Sequence, residues 1–168
     1  MSSLHTNIST RQISKLFYPL LVIGIILASE IATICSANFI YRGMPISWQS
    51  WSAFLVIAPP AALLVGLPAW WLYVIQAENI TIKRGIIVGC LSSIAAHPVM
   101  WMLVSVSDSL KLNPGLFSNV GMLLPIILVS LLYVGWITTI VGGIAGALLI
   151  YLQRALTQEI EPQNEGTL

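Results

Sequence analysis

Four long apolar stretches constrain this chain more than any other feature. They run from Phe17 to Ile40, Ser52 to Gln76, Gly85 to Ser107 and Met122 to Tyr151. Crossing the hydrocarbon core of a bilayer takes about 20 apolar residues, with a usual range of about 17 to 25. The first three stretches fit that range. The fourth is longer, so it is expected to tilt, to bend near its glycines or to project beyond the bilayer. Composition rules out the alternative of a water-soluble domain. Hydrophobic residues make up 57% of the 168 and charged residues only 8%, with a mean hydropathy of +0.90. Ordinary soluble domains carry about 25% charged residues, and a chain this small leaves much of its surface exposed. That surface must be apolar, so the solvent is lipid. The expected fold is an all-α membrane protein, a four-transmembrane-helix bundle with antiparallel up-down neighbours. Residues 17–151 form its transmembrane domain, residues 1–16 a tail before it, and residues 152–168 a polar tail expected to be disordered.

Orientation follows from Lys and Arg near the spans. Arg11, Lys15, Lys83, Arg84 and Arg154 share one side; Arg42 and Lys111 lie on the other. Both termini are therefore expected in the cytoplasm. Aromatic residues agree with an interfacial belt: Tyr18, Trp70, Trp71, Tyr73 and Tyr151 toward the inner face, Tyr41, Trp48 and Trp51 toward the outer. The first stretch is too long for a secretory h-region, so it reads as an anchor. The compact chain shows no eukaryotic targeting signal, which points to a bacterial inner (plasma) membrane. Glycosylation sequons at Asn7 and Asn79 fall on the cytoplasmic side and read as chance. Short loops, about 8 to 14 residues, make sequential helices neighbours.

Lipid supplies no hydrophobic force between helices, so packing relies on small residues that let backbones approach. They recur at four-residue spacing: Gly24, Ala28, Ala32 and Ser36; Ala58, Ala62 and Gly66; Gly85, Gly89 and Ser93; Gly135, Thr139, Gly143 and Ala147. Gly142 and Gly146 add a GxxxG pair. These stripes read first as contacts within the bundle and second, above all at Gly142 and Gly146, as a face for another copy. The second span carries Pro59, Pro60 and Pro68. Each removes a donor and frees the carbonyl four residues earlier, which needs a new partner in a bilayer. A structural kink is the first reading, a hinge or ion-coordinating carbonyl the second.

Glu30 is the only acidic residue deep inside a span, and His97 is the only histidine in one. At about 1.5 Å per residue, Glu30 lies about 20 Å and His97 about 18 Å from the inner ends of their spans. Thr138 and Thr139 come out near 19 Å, level with the Leu64 carbonyl that Pro68 frees. Each helix thus offers one polar element near mid-bilayer. A bare charge there costs several kcal/mol, so Glu30 is expected to face protein, find a partner or hold its proton. Glu30 and His97 together would make a neutral hydrogen-bonded pair or an ion pair, and either exchanges a proton with a substrate or an ion. The helical wheel argues against that pairing: at about 100° per residue, Glu30 points away from its helix's small-residue stripe, whereas His97 continues its own.

The run ILASEIATICSANF, which holds Glu30, resembles the first helix of the small multidrug resistance transporters, where a glutamate carries a proton. The likeness covers one helix of four; those proteins are considerably shorter, and the prolines and His97 have no place in their pattern. Haem ligation would need a second axial residue, and no nucleophile motif such as GxSxG accompanies His97. Cys35 and Cys90 form no metal or redox motif. No phosphate-binding glycine loop or nucleic-acid-binding basic patch occurs, and no cofactor is implied.

Two readings remain. One is a non-enzymatic membrane subunit or scaffold that acts through helix packing, with a membrane partner subunit or a second copy as its associate. The other is a small proton- or cation-coupled carrier or channel built on Glu30 and His97, with Thr138 and Thr139 as hydroxyl ligands and the prolines as a flexible wall.

Overall fold

The computed structural model describes residues 3–40, 48–76, 81–110 and 120–160, with side chains described for residues 17–40, 54–76, 81–107 and 123–157. Tyr41, Arg42, Asn79, Lys111 and the tail from residue 161 lie outside the described residues. So do the side chains of Asn7, Arg11, Lys15, Trp48 and Trp51.

Every described element is helical: α1 (Ser3–Ile40), α2 (Trp48–Trp70), α3 (Ile82–Leu110), α4 (Val120–Ser130) and α5 (Trp136–Ile160). A π-helical turn at Trp71–Ile75 prolongs α2, and a second at Leu131–Gly135 joins α4 to α5 without a break. Four long apolar helices able to span a membrane result: Phe17–Ile40, Phe54–Ile75, Ile82–Ser107 and Leu123–Thr157. Helices satisfy every backbone polar group within the segment, which lipid demands. The fourth is 35 residues long and contains the π turn that ends at Gly135. Helix α5 continues past Tyr151 to Ile160.

The prolines sit inside the helices: Pro19 in α1, Pro59, Pro60 and Pro68 in α2, Pro98 in α3 and Pro125 in α4. Pro60 and Pro68 are exposed on the outside of the bundle. The first π turn follows closely on Pro68, and its wide ring is closed by the Gln76 amide donating to the Trp71 carbonyl at 3.2 Å.

Helix α3 packs on α5 and on α2, and α1 packs on α5 and on α2, so the four spans close a ring. Its tightest seam is made of glycines. A Cβ on Gly89 would collide with the Gly142 carbonyl oxygen, and one on Gly146 with the Gly85 carbonyl oxygen. Gly85 meets Gly146, Gly89 meets Gly142, and His97 meets Thr138, so rising numbers on α3 face falling numbers on α5. Gly142 and Gly146 are thus occupied by their own chain. Gly24 presses on Leu149, and Gly66 on Ile25.

One end of the ring, where α1 begins its span and α5 ends its own, is filled by Phe17, Leu21, Trp70, Val74, Leu149 and Ile150. At the other end, Phe39 meets Trp136 edge-on at 5.4 Å and Phe54 meets Trp101 at 6.0 Å. Ile23, Val56, Leu91 and Leu132 are among many large apolar side chains facing outward. Water would not tolerate so continuous an apolar surface.

Candidate functional site

His97 is the most enclosed ionisable side chain in the ring, 6% exposed. Its Nδ1 lies 3.0 Å from Ser130 Oγ and its Nε2 lies 3.0 Å from Thr138 Oγ1. The two hydroxyls hold the imidazole from both sides.

The π turn makes this grip. Ser130 and Thr138 are eight residues apart, and eight residues of regular α-helix would leave them about 80° apart around the axis. A π turn absorbs one extra residue. The pair then stands as residues seven apart would, within about 20°, and both hydroxyls reach the same ring. The Gly135 carbonyl at the end of the turn accepts the Thr138 hydroxyl at 2.9 Å and the Thr139 hydroxyl at 2.6 Å.

One donor accounting satisfies all of these bonds together. Thr138 has one hydroxyl proton, given to Gly135, so its oxygen accepts from His97 Nε2–H. Nδ1 is then the acceptor and takes the Ser130 hydroxyl proton. Each ring nitrogen thus has a hydroxyl partner, and the two partners differ.

Two cavities meet at His97. One, of about 130 Å³, runs along the small-residue faces from His97 past Ala28, Ala32, Gly89 and Gly142 toward Trp70 and Leu149. The other, of about 240 Å³, runs the opposite way past Ser36, Ser130 and Trp101 toward Ile40 and Phe54. His97, Thr138, Thr33 and Met100 line both. Their walls are mainly apolar, with a few polar groups among them, as in sites for small solutes. Several of those groups lack partners. Trp70 Nε1 and Ser92 Oγ belong to residues of the first cavity, Ser36 Oγ and Trp101 Nε1 to residues of the second, and all four are buried without a hydrogen bond. Leaving such a group unpaired costs about 1–3 kcal/mol.

The residues singled out in the sequence separate here. His97 and Thr138 come together; Thr139 turns its hydroxyl back to Gly135, and its carbonyl accepts the Cys90 thiol at 3.5 Å. Ala28 and Ala32 line the first cavity, as do Gly89, Gly142 and Gly146. Glu30 lines neither cavity, is partly buried, and forms no hydrogen bond or ion pair with any described residue. Among the described residues no carboxylate faces His97, and no group of three or more His, Cys, Asp or Glu can hold a metal ion. Ser130, Trp70, Trp101, Ser36 and Ser92 are site residues that spacing alone did not reveal. Ser130 is hidden because its alignment with Thr138 depends on the π turn.

No protein-family model, curated protein or solved structure matches this chain.

Proposed function

We propose that this is a small membrane carrier or channel whose route passes through the ring of helices at His97. The observation that carries the reading is the position of that side chain on the wall shared by two cavities, one reaching toward each end of the ring. A protein that worked through packing alone would do better with leucine there, since a buried polar side chain must recruit partners to offset its desolvation. Here α4, the π turn and α5 supply those partners. In this reading the spans are antiparallel, both chain ends lie on the cytoplasmic side, and the host is a bacterial inner membrane.

The test is permeability. The protein is reconstituted in liposomes, and entry of protons, alkali cations and small neutral solutes is compared with that of Ser92→Leu, which fills the first cavity. Transport of at least one of these species, abolished by the filled cavity, is expected. Vesicles no more permeable than protein-free ones would end the reading.

A second reading, a membrane subunit that associates with a partner or a second copy, is favoured by Glu30 alone. Its carboxyl is partly open on the outside of the ring and has no partner among the described residues, which suits a contact made by another chain. Association lost in Glu30→Leu, with permeability unaltered, would favour it.

A further inference from the structure

We propose that the transported species is the proton, and that the His97 imidazole relays it between the two cavities, entering at one ring nitrogen and leaving at the other. This rests on the reading that the ring of helices is a transport route, and adds its substrate.

Three observations carry it. The first is the asymmetry of the imidazole. Ser130, at Nδ1, lines only the cavity reaching toward Ile40 and Phe54, whereas Thr138, at Nε2, lines both. Nδ1 therefore sits on the side of the cavity of about 240 Å³, and Nε2 sits where the two cavities meet. The second is room for water beside each. A buried water needs about 10–15 Å³ and two to four polar partners, and the cavities offer about 130 and 240 Å³. Ser29, Thr33, Ser92 and Ser93 can hold waters on one side, and Ser36, Ser130 and Trp101 on the other. The third is that no described carboxylate lines either wall, so a metal cation would find hydroxyls there and no anionic ligand. A proton needs no such ligand set, because one basic ring nitrogen carries it as a covalent N–H.

The step balances as follows. In the starting state Nε2 carries the proton and Nδ1 is free. A protonated water in the wider cavity gives a proton to Ser130 Oγ as the Ser130 hydroxyl proton passes to Nδ1, leaving imidazolium. The Nε2 proton passes to Thr138 Oγ1 as the Thr138 hydroxyl proton leaves for water in the narrower cavity, which Thr138 also lines, and the ring is neutral again as the Nδ1–H tautomer. Rotation about χ2 lets both nitrogens exchange with one cavity and restores the starting tautomer without moving net charge. One proton enters, one leaves, and the same steps run backward.

The experiment uses the full chain in phosphatidylcholine liposomes holding a pH-sensitive dye, with a potassium gradient and valinomycin setting the voltage. Wild type, His97→Gln and Ser130→Ala are compared, each checked for helicity and elution, and wild-type vesicles are also tested for glycerol and potassium entry. Voltage-driven proton entry is expected in wild type. It should fall about 100-fold in His97→Gln, which keeps hydrogen-bonding atoms but cannot pass a proton through. It should fall about tenfold in Ser130→Ala, where water must replace the hydroxyl. Equal proton entry in wild type and His97→Gln overturns the relay. Should His97→Gln fail to fold, undiminished entry in Ser130→Ala overturns it as well. Solute or potassium entry without proton entry overturns the relay and leaves the transport route standing; no entry of any species removes both.

Discussion

The seam between α3 and α5 carries His97 deep in a span and the outward face of α1 carries Glu30, and the two are built in opposite ways. At the seam, Gly85, Gly89, Gly142 and Gly146 bring backbones into contact, and a few residues further along His97 is enclosed with both nitrogens bonded. On α1, Glu30 follows Ile23 and Leu27 and precedes Ile34, all three exposed, and no described residue bonds to it. A polar group in lipid must be satisfied by someone. His97 is satisfied from within, so its role belongs to the folded chain. Glu30 has no partner among the described residues, which leaves its carboxyl open to another chain.

Substitution at the seam should have the largest effect. Gly89→Leu drives a side chain into the Gly142 carbonyl, a backbone atom that cannot swing aside. Overpacking costs about 1–3 kcal/mol and occasionally more, and here the ring itself would have to open. Loss of a monodisperse folded species in detergent is expected. Gly66→Ala makes the contrast: its added Cβ would sit 3.2 Å from Ile25 Cδ1, the movable tip of a side chain. Alanine is the better helix former by about 1 kcal/mol, so the melting temperature should hold or rise. Equal damage from both would mean that the seam is not special.

Next comes the grip on His97. His97→Leu removes two hydrogen bonds and strands Ser130. Interhelical hydrogen bonds in membranes average about 0.6 kcal/mol and reach about 1.7, so a folded protein destabilised by about 1–3 kcal/mol is expected in denaturant titration. A double-mutant cycle between His97→Gln and Ser130→Ala should give a coupling of about 0.5–1.5 kcal/mol. A coupling of zero would mean that the two side chains do not meet in solution, and the comparison would lose its enclosed member.

Sequence reasoning reaches these two regions unevenly, for physical reasons. Span lengths and small-residue stripes are periodic and local, so the four helices and the glycines of the seam are visible in the chain. The wheel likewise puts His97 on its stripe and Glu30 off its own, without showing what each would meet. The grip on His97 is another matter. A π turn has no composition of its own, and it shifts every later residue around the axis by a whole position. Counting at 3.6 per turn therefore sets Thr138 apart from Ser130, although the fold lays them together. Trp70 was hidden differently: a tryptophan near a span end reads as an interfacial anchor, yet Trp70 is only 3% exposed and packs beside the first cavity.

The smallest effect on the folded chain should come from Glu30→Gln. No hydrogen bond or ion pair of the described residues is lost, and changes away from packing or bonded networks usually stay within about 0.5 kcal/mol. Melting temperature and His97-dependent proton entry should match wild type, because Glu30 lines neither cavity. Association is where the change should register. A carboxyl that meets another chain in lipid is either a hydrogen-bond donor or one half of an ion pair. Gln keeps a donor and an acceptor but carries no charge, so it preserves a hydrogen-bonded contact and weakens an ionic one. Cross-linking in native membranes, comparing Glu30→Gln with Glu30→Leu, separates the cases. Loss in Leu alone marks a neutral hydrogen-bonded contact, and loss in both marks a cationic partner. If neither variant alters cross-linking while Glu30→Gln slows proton entry, the outward face and the enclosed site belong to one pathway, and the contrast between them fails.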